Sequence, residues 1–254
     1  MSSRQEQKAQ LKKDREAAAA ARQAEQKKSR NIRILASGAA LAIVIVGALI
    51  LVQGKENPIN NPISGGAAAA ALIGSVEQSG SSLGSKKAPV TISEYADLRC
   101  PACKAFSEKS YGDIINKLVK TNEARLQYNN WPILGPESVL AAKAALAAGQ
   151  QNKGFLFAEI FYMNQRNETT PYVTDKFLLS IATEAKLDIA KWQKDRRDPS
   201  LVTQLTKISK DAVKQGFTGT PSLTVEKDGL VIPLPQGTDA NGVIAAVNQV
   251  NGRK

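Results

Sequence analysis

Residues 88–109 read APVTISEYADLRCPACKAFSEK and hold both cysteines of the chain, Cys100 and Cys103. Two cysteines scattered over 254 residues would fall three apart only on the order of one time in a hundred. Ala88 to Leu98 is β-branched and alternating before it turns apolar, which predicts a strand delivering the chain to Cys100. Pro101 suits a first helical turn, and Ala105, Phe106, Ile114, Ile115 and Leu118 follow at helical spacing. The two sulfurs therefore stand at a helix amino terminus, within reach of each other as a dithiol or a disulfide.

Downstream, ARLQYNNWPIL (124–134) reads as a second strand ending at Trp131-Pro132. Helical patterns follow near 137–150, 153–165, 174–186, 188–194 and 199–215, punctuated by Pro136, Gly154, Pro171 and Pro199. PSLTVEKDGLVIPL (221–234) predicts two short strands around Lys227-Asp228-Gly229, a hairpin signal, and Asn241–Val250 closes as a helix. The order β-α-β, helices, β-β-α is an α/β fold, with a helical insertion at about 137–215.

Upstream, the chain changes character. Residues 1–33 carry ten Lys/Arg against four acids, about half of the +11 net charge. They run straight into Ile34–Val52, ILASGAALAIVIVGALILV, nineteen residues without a charge. A helix of that length rises about 28 Å, close to the hydrocarbon thickness of a bilayer. The basic side predicts a single-pass signal-anchor helix with a cytoplasmic amino terminus and everything after residue 52 outside. A cleavable signal peptide fits less well, since the charged region and the apolar run are both too long for one. The tail lacks interleaved aromatics, which argues against nucleic acid as a partner. Residues 53–87, with Pro58, Pro62, Gly65-Gly66, Ala67–Ala71 and SGSSLGSKK, read as a flexible linker with room for a short helix in the alanine run. The folded domain is then 88–254, and the chain's 43% hydrophobic share suffices for a core.

A thiolate, not a thiol, attacks disulfides, and helix-terminal N–H groups stabilise such an anion. Cys100 comes first and reads as the more exposed nucleophile; Cys103, one turn further in, reads as the resolving thiol. Other uses of the pair are weaker. A structural bridge across so short a loop gains little chain entropy, and a metal site lacks further ligands in a chain without histidine. A redox-active disulfide needs no bound cofactor.

Strand, C-x-x-C opening a helix, strand, helical insertion, a hairpin led by Gly219-Thr220-Pro221 and a final helix together resemble a DsbA-like thioredoxin-fold oxidoreductase. APVTISEYADLRCPACKAFSEK and DAVKQGFTGTPSLTV (211–225) resemble the membrane-anchored bacterial subfamily, over roughly residues 83–252. The resemblance implies a cis Thr220-Pro221 bond lying against the cysteine pair, with the Thr220 backbone free to bind an extended client. It also implies a proton relay at Glu94, six residues before Cys100, with Asp97 a nearby rival. Pro101 and Ala102 would tune the site. Ala102 departs from the best-known DsbA pattern, which has histidine there; alanine cannot donate to the thiolate, which implies a weaker oxidant. Tyr95, Phe106, Tyr128 and Trp131 could line a peptide groove, but aromatics on strands and helices are more often core, and no role is assigned to them.

The favoured function is a membrane-anchored, extracytoplasmic thiol-disulfide oxidoreductase. Its clients would be thiol-containing secreted or envelope proteins, and a membrane redox partner would reset the pair. A reductase or isomerase with the same site, or a peptide-binding adaptor with a structural disulfide, stays open at this level.

Overall fold

The computed structural model describes residues 62–253. The basic tail, the predicted span 34–52 and the start of the linker lie outside them. Among the described residues no helix is long and apolar enough to cross a membrane.

The fold is organised around β3 (Val90–Ala96), which runs parallel to β4 (Ala124–Asn130) and antiparallel to β5 (Ser222–Lys227). β5 turns back into β6 (Leu230–Pro233). Side chains on a strand alternate between faces, so Val90, Ile92, Glu94 and Ala96 share one side of β3. All four are buried there. On the opposite face Tyr95 packs in a small second cluster with Trp131 and Ala212. The alternation that makes β3 a strand thus carries a glutamate into the main core.

Cys100 ends the segment after β3 and opens α2 (Pro101–Ile114), which continues into one π-helical turn, Ile115–Val119. α2 buries Cys103, Phe106, Ser107, Ser110, Tyr111 and Ile114, a stripe at the three- and four-residue spacing that brings side chains onto one helix face. The insertion comprises α3 (Pro136–Gly149), α4 (Gly154–Met163), α5 (Asp175–Glu184), α6 (Ile189–Asp195) and α7 (Ser200–Lys214). Each lies within a residue or two of its predicted span. α5 and α6 start on side-chain caps, Thr174 accepting from the Phe177 N–H and Asp188 from the Lys191 N–H. α8 (Ala240–Val250) packs beside α2.

The structure corrects the linker reading over residues 62–87. Gly66–Ile73 is a helix, α1, whose Ala69 and Ile73 are buried against α4. β1 (Gln78–Ser79) and β2 (Ser82–Leu83) form a hairpin that extends the sheet, giving the order β1-β2-β4-β3-β5-β6. Leu83 stands opposite Leu126 and is fully buried. Asn164, just past α4, donates to the Ser64 carbonyl at 2.6 Å and accepts from its N–H at 3.2 Å. The physical reason is size. Alanines carry no periodic apolar signal, yet their small side chains let α1 approach α4 closely, and burial there offsets the entropy of ordering the segment.

Gly154 tests this packing. Its N–H donates to the Gly80 carbonyl at 3.1 Å, and a Cβ there would stand 2.5 Å from Ser81 Oγ and 3.0 Å from Gly80 O. A free tether at 78–84 would let Gly154→Ala stabilise the helix by a few tenths of a kcal/mol. Against a packed hairpin the substitution destabilises by about 1–3 kcal/mol, read as a lowered denaturation midpoint. An unchanged or raised midpoint excludes the packed arrangement.

Candidate active site

Cys100 is the N-cap residue of α2, with extended backbone (φ −73°, ψ 121°), and Pro101 occupies the first helical position. Proline has no N–H to lose there, so the next two amides, of Ala102 and Cys103, are the free donors nearest the Cys100 sulfur. Cys100 is 9% exposed and Cys103 0%, the order predicted from sequence, while Pro101 and Ala102 are exposed.

β5 pairs with β3 so that Ser222 stands opposite Tyr95. The residues just before β5 therefore fall beyond the carboxyl end of β3, where Cys100 waits. The Thr220-Pro221 bond is cis, as the resemblance implied. When protonated, the Cys100 thiol donates to the Thr220 carbonyl at 3.4 Å. Thr220 Oγ1 is buried beside that sulfur.

The two thiols are driven apart electrostatically. Cys100 is lowered to about 6, chiefly because the Cys103 thiol donates to it; burial opposes this, and the Thr220 hydroxyl and the Cys103 and Ala102 amides reinforce it. Cys103 is pushed well above the ordinary thiol range by burial, by its bond to Cys100 and by the negative charge of Glu94. At neutral pH Cys100 is a thiolate and Cys103 a thiol.

Glu94 is fully buried. Its Oε2 accepts from the Tyr111 hydroxyl, and its Oε1 is buried without a partner among the described residues. Burial raises it to about 8; the Tyr111 bond works the other way, while the charges of Glu159 and Cys100 add to the rise. Asp97, the rival, is engaged elsewhere. It accepts from the Arg99 amide at 2.9 Å, and from the Ile133 and Leu134 amides at 2.7 and 2.9 Å. Asp97 braces the turn, and Glu94 is the carboxyl whose charge bears on the two thiols.

Several residues of the site were not found by sequence reasoning. Arg99 donates to the carbonyls of Leu134 (3.1 Å) and Glu168, and stands 3.4 Å from Glu137. Gln165 donates to the carbonyls of Leu98 and Cys100 at 2.7 and 3.0 Å. Tyr111, Ser107 and Glu159 form a buried polar seam along α2. One signal was available: Glu159 is the only charged residue in GFLFAEIFYM, and an acid amid so apolar a helix is either paired or functional. Of the four aromatics to which the sequence assigned no role, Phe106 and Tyr128 are buried in the main core, and Tyr95 and Trp131 in the second cluster.

Chemistry of this kind on a sheet of this topology defines the class: a thioredoxin-fold thiol-disulfide oxidoreductase. The family model described as Thioredoxin matches residues 77–233. The chain belongs to that family, as a DsbA-like member. It is similar to a probable disulfide bond formation protein D of Bacillus cereus, 31% identical over 148 residues that cover 57% of this chain and 68% of the relative. Among solved structures, a thioredoxin-like oxidoreductase from Silicibacter pomeroyi DSS-3 superposes with a TM-score of 0.57 at 31% identity, covering 68% of this chain and 92% of that one. BdbD from Bacillus subtilis, in its oxidised form, gives a TM-score of 0.58 at 22% identity over 68% and 96% of the two chains, and supports the fold alone.

Proposed function

We propose that the protein is a membrane-anchored, extracytoplasmic oxidant that forms disulfides in secreted or envelope proteins. What supports the direction is the placement of Cys100 at the free amides of the α2 amino terminus, with Cys103 buried behind it. A stabilised Cys100 thiolate favours the reduced pair, so the oxidised pair draws electrons from clients. The names of the curated relatives, which speak of disulfide bond formation, support the same direction. The uncharged run 34–52 behind a basic tail supports the anchor and a catalytic domain outside the membrane.

The exchange balances as follows. A client thiolate attacks the Cys100 sulfur of the oxidised pair, the Cys100–Cys103 bond breaks, and Cys103 leaves as a thiolate that takes a proton from Glu94. A second client thiolate then attacks the client sulfur of the mixed disulfide and releases Cys100 as a thiolate. Two electrons pass from client to protein, and a membrane redox partner removes them. In the reverse sense Glu94 takes the Cys103 proton and frees Cys103 to resolve a mixed disulfide. The Thr220 backbone beside cis-Pro221 aligns the client strand, and exposed Pro101 and Ala102 shape the approach to Cys100.

Cys103→Ala removes the resolving thiol, so a Cys100 thiolate that attacks a client disulfide, releasing one client thiolate, stays bonded to the other client sulfur. In the full-length variant, mixed disulfides with envelope proteins should accumulate on non-reducing gels and vanish when Cys100 is also replaced. Absence of these adducts, with Cys100 titrating as a free thiol, would exclude the oxidoreductase cycle.

A further inference from the structure

A second carboxyl lies buried under α2. Glu159, on α4, is 2% exposed, and among the described residues no Lys or Arg pairs with it. The Ser107 hydroxyl lies 2.9 and 3.0 Å from its two carboxyl oxygens. Ser107 is four residues past Cys103 and Tyr111 four past Ser107, so the three occupy successive turns of one face. Tyr111 donates to Glu94, and its ring rests on Phe155, one turn before Glu159 on α4, with centroids 5.1 Å apart. Two carboxyls from different elements, Glu94 from β3 and Glu159 from α4, therefore grip adjacent turns of the redox helix through hydroxyls, directly behind Cys103.

We propose that Glu159 is a positioning residue of the redox site: a second proton-holding carboxyl that sets how readily Glu94 gives up and takes back the proton of Cys103. The proposal deepens the assignment of Glu94 as the relay and rests on it. Two buried like charges oppose each other, so ionising either carboxyl makes the other hold its proton more tightly. The groups that act on Glu159 are Ser107 and Glu108 of α2, and it acts in turn on Glu94 and Tyr111. Burial pushes it to about 8, the same range as Glu94. A neutral carboxylic acid can both accept from Ser107 and donate back to it, which suits a position without a cation.

The test follows the buried carboxyls of the reduced protein by their protonated C=O infrared absorption, beside the pH profile of mixed-disulfide resolution. The unmodified protein should lose two carboxyl protons in overlapping steps around pH 8, spread over more than about one pH unit. Glu159→Gln keeps the shape and hydrogen bonds of the neutral acid. It should leave one single-proton step, moved down by about half a pH unit or more, with the kinetic inflection moving alongside. A remaining step at its original midpoint overturns the proposal and leaves Glu159 as packing. If Glu159→Gln does not fold, Ser107→Ala substitutes: losing the hydroxyl should move Glu159 upward and separate the two steps, and unchanged steps overturn the coupling. Glu94→Gln distinguishes the parent reading, because an unaltered kinetic profile in that variant removes Glu94 as relay whatever Glu159 does.

Discussion

Glu94→Gln should make the domain more stable at alkaline pH and slower at disulfide exchange. The folded state holds the Glu94 proton up to about pH 8, against an ordinary value of 4.5. Between those values the unfolded chain releases a proton that the folded one keeps. Stability is therefore fully present below 4.5 and falls as pH rises through 8. At 1.36 kcal/mol per pH unit, the loss at pH 9 is about 3–5 kcal/mol. Glutamine stays neutral throughout, so variant and parent should denature alike near pH 5 and diverge toward pH 9 in favour of the variant. The exchange step in which Cys103 changes protonation should slow about a hundredfold and lose its inflection near pH 8. Parallel stability curves at every pH, or an unaltered rate profile, would remove Glu94 from the site's proton chemistry.

Ala102→His should raise the reduction potential. Residue 102 is exposed in the first turn of α2, beside the Cys100 sulfur, and its own side chain offers the thiolate nothing. An imidazolium there adds a charge-assisted donor to the amides and to the Cys103 and Thr220 groups that already lower Cys100. Each further unit of lowering stabilises the reduced pair by about 1.4 kcal/mol, or about 30 mV for this two-electron couple. Equilibration against a glutathione series measures it. An unchanged or lowered potential would mean that the helix terminus alone sets the thiolate.

The sequence carried the redox core because each of its devices is local. A β-branched alternation, a proline at the first helical position and a Gly-Thr-Pro lead into a strand all act within a few residues. The helices of the insertion announced themselves by period and punctuation, to within two residues. Glu94 could be placed on the core face by counting along β3, and Asp97 could be set aside only once its bonds to Ile133 and Leu134 were visible. Contacts between distant segments had no local signature. The alanine run of α1 looks like a tether because its packing depends on the surface of α4, and the grip of Gln165 on the Cys100 carbonyl joins residues 65 apart. Glu159 lay between these cases: its oddity within an apolar helix was plain, but its partner on α2 was not.

The bonds holding residues 97–100 carry one more consequence. Asp97 bonds to the 133–134 amides, Arg99 to carbonyls at 134 and 168, and Gln165 to the carbonyls of Leu98 and Cys100. All of these partners lie in the insertion or the segment leading into it, not in the sheet. The redox turn is thus suspended like a cantilever from the segments that lead into and join the accessory helices, and its stiffness belongs to them. Grafting the C-P-A-C turn and its strands onto a minimal sheet would keep the sulfurs and lose the frame that aims them.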